Sequence, residues 1–207
     1  MAFSRDGCGW EVDTIRATYD RIAVTYVGQR DQFASLPYLG QFAAYLPAEG
    51  NVLDLGCGGG IPIAADLVSR GFAVHGFDLS PRMIDLAREN VPDASFEVGN
   101  MIDLRDGQFD VDGIVSFYAI FHTPREHHLE LLKRLASFLP AGGALLISMG
   151  ASDWEGEEDF HGERMLWSHY GAERNTQLVE AAGFSIRQNT IDRSGGESHQ
   201  IILALRR

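Results

Sequence analysis

Three groups of residues have types and spacings that could do chemistry. The first is Asn51–Gly60, N-V-L-D-L-G-C-G-G-G, where Asp54 precedes glycines at alternate positions, Gly56, Gly58 and Gly60. Glycines at such a turn let backbone N–H groups lie close to a ligand, because no Cβ stands in the way. A dinucleotide fingerprint needs G-x-G-x-x-G, and here the position two beyond Gly60 is Pro62. A carboxylate at Asp54 repels a pyrophosphate and suits a ligand that carries an ammonium group. The second group is Asp78 with Leu79 and Met83. Asp78 can accept hydrogen bonds from both hydroxyls of a ribose, and the two apolar side chains can cover a purine. The third is S-F-Y-A-I-F-H-T-P over 116–124. An imidazole at His122 can take a proton from an acceptor hydroxyl near pH 7. His161 and His169, in the later segment 151–171, are further acid–base candidates, and Tyr170 in the same segment is a third catalytic candidate beside His122 and His161.

These residues need elements that bring them to one edge. Val52, Leu53 and Leu55 form a short apolar run broken by glycine, which reads as a buried parallel strand turning into a helix. The pattern then alternates, with strands at 51–55, 73–77, 95–98, 111–117 and 144–149. Helices are predicted at about 61–70, 81–90 and 125–139. Gly71 stops the first of these, and Ser80-Pro81 caps the second. A helix at 172–182 leads to strands at 184–191 and 200–205. The short Gly195-Gly196 connection makes those two strands antiparallel. The fold class is therefore α/β: a Rossmann-like, doubly wound, mostly parallel sheet of seven strands, with an antiparallel C-terminal hairpin strand. Ligands of such sheets sit at the carboxyl ends of the strands, where Asp54, Asp78 and His122 fall. Helical periodicity also covers Thr14–Tyr26 and Tyr38–Leu46. Residues 151–171 read as a long loop at the carboxyl edge, with Trp154, Phe160, Met165, Trp167 and Tyr170 lining an acceptor pocket.

The chain has 207 residues, 45% of them hydrophobic, which fits one domain with one substantial core. Its formal net charge of −12 argues against nucleic acid and against anionic membranes as partners. Two cysteines, Cys8 and Cys57, give no disulfide framework, and with no apolar leader in the first residues a cytoplasmic location is expected.

The segment Val52–Gly60 resembles the first motif of the class I S-adenosylmethionine-dependent methyltransferases, V-L-D-x-G-C-G-x-G. That resemblance implies S-adenosyl-L-methionine as cofactor, with S-adenosyl-L-homocysteine as product. It implies an N-terminal helical lid over 1–50, a cofactor-binding core over 51–150, an acceptor side at 151–171, and a closing helix and hairpin at 172–207. It also implies that Tyr19, in the segment Tyr19–Tyr26, reaches the cofactor. Asn100 and Met101 would face the adenine, although many relatives carry Asp in place of Asn100. Ser116, Phe117 and Tyr118 would run beside the methionine part. The cofactor set is thus Tyr19, Asp54, Gly56, Gly58, Asp78, Leu79, Met83, Asn100, Met101 and Phe117, and the catalytic candidates are His122, His161 and Tyr170. No metal is expected, because Ser116 and Phe117 stand where metal-dependent relatives carry an acidic residue. The function this implies is methyl transfer to an oxygen or nitrogen of a small organic acceptor, and a homodimer is compatible with it. Two rivals are weighed: a protein of this fold that binds the cofactor without transferring methyl groups, and a nicotinamide oxidoreductase, which Asp54 and the terminal hairpin oppose.

Overall fold

The computed structural model describes residues 12–29, 36–194 and 197–207. Seven strands form one sheet in the order β3-β2-β1-β4-β5-β9-β8. They are β1 (Asn51–Leu55), β2 (Ala73–Asp78), β3 (Ser95–Val98), β4 (Gly113–Ser116), β5 (Ala144–Gly150), β8 (Phe184–Asp192) and β9 (His199–Arg206). β1 pairs parallel with β2 and β4, β2 with β3, and β4 with β5. Only β9 runs against its neighbours, pairing antiparallel with β5 and β8. The predicted sheet and its antiparallel closing strand are therefore present. The Gly195-Gly196 connection lies outside the described residues.

The inner strands are buried on both faces, as their continuous apolar runs require. Helices α3 (Ile63–Ser69) and α4 (Pro81–Asn90), with α2 (Leu36–Ala43), cover one face through Phe42, Leu67 and Ile84. Helices α5 (His128–Ser137) and α6 (Ala172–Ala181) cover the other through Leu131, Leu135 and Leu178. α4 begins as its sequence dictates, with Ser80 Oγ accepting from the Met83 N–H at 3.1 Å and Pro81 in the first turn. The helix expected over 125–139 is split into a 3₁₀ turn at Arg125–His127 and then α5, and β4 is shorter than the predicted 111–117.

The larger difference is at 151–171. The predicted loop is a two-stranded antiparallel hairpin, β6 (Trp154–Phe160) and β7 (Glu163–His169), joined by His161 and Gly162. Both turn residues have positive φ, 55° and 80°, which is the backbone that matches the twist of a two-residue hairpin. The hairpin docks on α1 (Val12–Gly28), with Thr18 Oγ1 donating to the Arg164 carbonyl at 2.9 Å and Arg21 paired with Glu163 at 2.7 Å. Ile15, Met165 and Leu166 form a small separate core there, with Tyr19, Leu79, Phe160 and Trp167 packed around it. No helix among the described residues is long and apolar enough to cross a membrane.

Candidate active site

The turn after β1 is folded by its own hydrogen bonds. The Gly56 and Cys57 N–H groups both donate to the Phe77 carbonyl, at 2.7 and 3.2 Å. The Gly58 N–H donates to Asp78 Oδ2 at 2.9 Å, and Asp78 Oδ1 accepts from the Ser80 N–H at 2.9 Å. The first three N–H groups of the turn are thus committed to the protein, so they cannot wrap a diphosphate as a dinucleotide loop would. Gly56, at φ +78°, sits where an added Cβ would lie 2.2 Å from the Ala119 Cβ, so the turns after β1 and β4 touch as closely as glycine permits. Gly58, at φ +52°, has open space where a Cβ would project.

That open space is part of a cavity with about 920 Å³ of atom-free volume, counting its solvent-open mouth. Of the predicted cofactor residues, Tyr19, Gly56, Gly58, Asp78, Leu79, Met83, Asn100, Met101 and Phe117 line it. Asp54 does not: it is fully buried beneath the turn. Burial, with Asp78 and Asp54 close by, pushes the Cys57 thiol well up. Asp78 is itself raised, chiefly by desolvation, against the opposing pull of its backbone donors. Asn100 caps the short 3₁₀ turn Met101–Asp103, its Oδ1 accepting from the Ile102 N–H at 3.1 Å.

His122 also lines the cavity, but not as a free base. Its Nε2 lies 2.7 Å from the Tyr19 hydroxyl and its Nδ1 3.1 Å from the Leu166 carbonyl. Its ring packs against Trp167, with ring centroids 4.5 Å apart, and against Phe121 and Tyr19. Desolvation lowers its pKa to about 4, so the imidazole is neutral at pH 7 rather than poised there. The other two catalytic candidates are not brought to this cavity. His161 sits at the hairpin turn beside Tyr26 and Phe160. Tyr170 packs with His128, Arg125 and Arg174 on the opposite side of β7's end. Of the side chains expected to line an acceptor pocket, Phe160, Met165 and Trp167 instead hold the hairpin to α1, and Trp154 is 44% exposed. Trp154 and Trp167 border a second, polar cleft with Glu158 and His169.

Several lining residues were not singled out from sequence. Val12, Ile15 and Val27 of α1, and Ala119 and Thr123 after β4, complete the wall. Ile15 carried a signal, since it lies on the apolar stripe of its helix, but a stripe does not say whether it meets a core or a ligand. Tyr118 adopts φ 57°, a strained conformation for a non-glycine residue, held by its N–H donating to Ser148 Oγ at 2.6 Å.

A parallel sheet closed by one antiparallel strand, with an acidic strand end bound to a glycine turn, defines the class I S-adenosylmethionine-dependent methyltransferase fold. Residues 26–189 match the family profile described as Methyltransferase domain, and the chain belongs to that family. The chain superimposes on the Burkholderia thailandensis 1,6-didemethyltoxoflavin-N1-methyltransferase, a structure with 1,6-didemethyltoxoflavin and S-adenosylhomocysteine bound. There the TM-score is 0.77 at 21% identity, covering 99% of this chain and 93% of that one. Among curated sequences it is 30% identical over 142 residues to an uncharacterized methyltransferase of Synechocystis, covering 68% of this chain and 65% of the relative. It is likewise 30% identical over 146 residues to the tRNA (carboxymethyluridine(34)-5-O)-methyltransferase of Xenopus tropicalis, covering 70% of this chain and 22% of the relative. The chain therefore spans less than two thirds of the length of these curated relatives.

Proposed function

We propose that this protein transfers the methyl group of S-adenosyl-L-methionine to an oxygen or nitrogen of a small organic acceptor. The observation that carries the reading is the self-bonded turn. With the N–H groups of Gly56, Cys57 and Gly58 committed to Phe77 and Asp78, the cavity suits an adenosine without a diphosphate. The residues present fit that group. Asp78 is a carboxylate in the wall beside the open face of Gly58, which is where a ribose diol needs an acceptor. Leu79, Met83 and Met101 supply apolar surface for a purine, with Asn100 at its edge. Phe117 and Gly56 flank the amino-acid end, and Asp54, buried below, contributes its field there and no direct surface. α1 covers the cavity through Val12, Ile15, Tyr19, Tyr26 and Val27, with the hairpin packed against that helix, and this cover serves to exclude water.

When bound, the cofactor supplies a methyl carbon already activated by its sulfonium. The protein's part is then to align the acceptor and keep water out. The net charge of −12 supports a small molecule over a phosphate-rich acceptor. The test is release of S-adenosylhomocysteine from S-adenosylmethionine with a panel of hydroxyl and amine acceptors. Product with at least one member supports the proposal. Cofactor binding without product from any member assigns a binding role instead.

A further inference from the structure

The cleft bordered by Trp154 and Trp167 takes no part in the cofactor reading. Phe121, Gly150 and Ser152 also line it, and it holds about 730 Å³ of atom-free volume, counting its open mouth. Packed rings separate it from the cofactor cavity. His122 and Tyr118 line that cavity and pack on Trp167 and His199 of the cleft, with ring centroids 4.5 and 4.7 Å apart. The fixed charge of the cleft has one sign: Asp153, Glu158 and Glu197 line it, and among the described lining residues there is no lysine or arginine. Asp153 lies 3.9 Å from Arg125, and Glu197 lies 3.5 Å from His199 Nε2. Glu158 has neither ion pair nor hydrogen bond among the described residues. The acids that alternate with it on β6 are matched, Glu155 with Arg125 and Ser168, Glu157 with Arg164, and Asp159 with the Gly162 N–H.

The two indoles are set beside that carboxylate. Successive side chains of a strand point to opposite faces, so Trp154 and Glu158 share one face of β6 with Gly156 between them. An added Cβ at Gly156 would stand 3.3 Å from the Trp154 ring, so the missing side chain lets that indole lie along the strand. Trp167, paired with Gly156 across the hairpin, continues the face. Its Nε1–H is buried and has no acceptor among the described residues, a donor that the chain's own atoms leave unmatched. An anion entering the cleft meets charge of its own sign. A neutral apolar ligand desolvates Glu158 and leaves it unpaired. A cation on a carbon frame pairs with Glu158 and faces rings whose quadrupole attracts positive charge.

We propose that this cleft is a binding site for an organic ammonium ion, with Glu158 as its counter-ion and the Trp154 and Trp167 rings as its wall. Among the described residues no group of three or more His, Cys, Asp or Glu could hold a metal ion, so the match is a carbon-bearing cation. The site stands on the cleft and does not need the methyl-transfer reading. The same ammonium chemistry can belong to the methyl acceptor or to a ligand that is never methylated, and one arm of the test separates the two.

Benzylammonium, benzyl alcohol and benzoate share a ring and differ in charge. Each is titrated into the full-length protein at pH 7 by calorimetry, at low and raised salt, with tryptophan fluorescence followed alongside. Benzylammonium is expected to bind at least about tenfold more tightly than either of the others, a gap of about 1.4 kcal/mol. It should quench the tryptophans and weaken as salt is raised. Glu158→Gln should cut benzylammonium affinity at least about fivefold and leave benzyl alcohol unmoved, and Trp154→Leu should reduce the quench. Both side chains lie outside the cofactor cavity, so S-adenosylhomocysteine affinity should stay within about twofold of wild type in each variant, which also shows that it is folded. Equal affinity for the three probes, no binding of benzylammonium, or a folded Glu158→Gln protein that binds it as well as wild type overturns the proposal. Adding S-adenosylmethionine to the benzylammonium complex reads the source of the ligand. Release of S-adenosylhomocysteine that depends on benzylammonium makes the cleft the acceptor's site, and binding without release makes the ligand one that is not methylated; the site stands in both cases. A wild type that binds benzylammonium but not S-adenosylhomocysteine overturns the methyl-transfer reading alone.

Discussion

Gly58→Ala separates the cost of a backbone from the cost of a filled cavity. Gly58 has φ +52° and nothing within 4 Å of where a Cβ would stand, so alanine there meets no protein atom. The penalty in the free protein is the left-handed conformation alone, about 1–2 kcal/mol. For a chain of this size that lowers Tm by roughly 2–8 °C. The new methyl projects into the cavity against the Asp78 wall, where the adenosine is proposed to lie. S-adenosylhomocysteine affinity should therefore fall by at least about tenfold, or about 1.4 kcal/mol. Gly107→Ala is the matched control: φ +66°, again nothing within 4 Å, but outside this cavity. It should lose similar stability and keep its affinity within about twofold. Thermal melts and calorimetric titration of the three proteins read both quantities. Unchanged affinity in a folded Gly58→Ala protein would refute the placement of the cofactor against this turn.

Asp78→Ala should weaken S-adenosylhomocysteine binding on the order of tenfold or more by calorimetry, since hydrogen bonds to a charged group contribute about 1.5–3 kcal/mol. An effect below twofold would remove Asp78 from the site. His122 and His128 both have pKa values lowered to about 4 from 6.5 by burial. The unfolded chain takes up their protons below about 6.5 and the folded chain only below about 4, so unfolding binds protons in that window and stability falls as pH falls through it. The upper bound is roughly 3 kcal/mol per imidazole, and urea melts between pH 7 and 4.5 should show a shallower loss for His122→Asn. Met165→Ala opens a hole in the small core between α1 and the hairpin, at a cost of about 2–5 kcal/mol. Hydrogen exchange should then quicken in α1 while the central sheet stays protected; equal loss in both would show that the roof and the sheet unfold as one unit.

Apolar runs ended by glycine or an acidic residue made the parallel sheet legible, and Ser80-Pro81 marked the start of α4 to the residue. The hairpin is not legible as strand because β6 is E-G-E-E-D between two aromatics, a run whose acidic side chains hide the alternation. The legible cue was the two-residue turn His161-Gly162, flanked by arms of seven residues each. Sequence placed His122 at the right strand end but could not give its protonation, because Trp167 and the Leu166 carbonyl reach it from β7, more than forty positions away. Tyr170 went astray for the same reason: once 154–169 is a hairpin, the chain leaves it on the α5 and α6 side, and Tyr170 packs by His128. The motif puts Asp54 in the cofactor set, and the fold places it beneath the turn and not in the wall.

The central claim is that the bend after β1 holds an adenosyl amino acid and not a diphosphate. Titration calorimetry of the wild-type chain with S-adenosylhomocysteine and, separately, with NADH tests it most directly. The account predicts one saturable site for S-adenosylhomocysteine and no heat from NADH. Saturable binding of NADH, with S-adenosylhomocysteine and S-adenosylmethionine both inert, would contradict it.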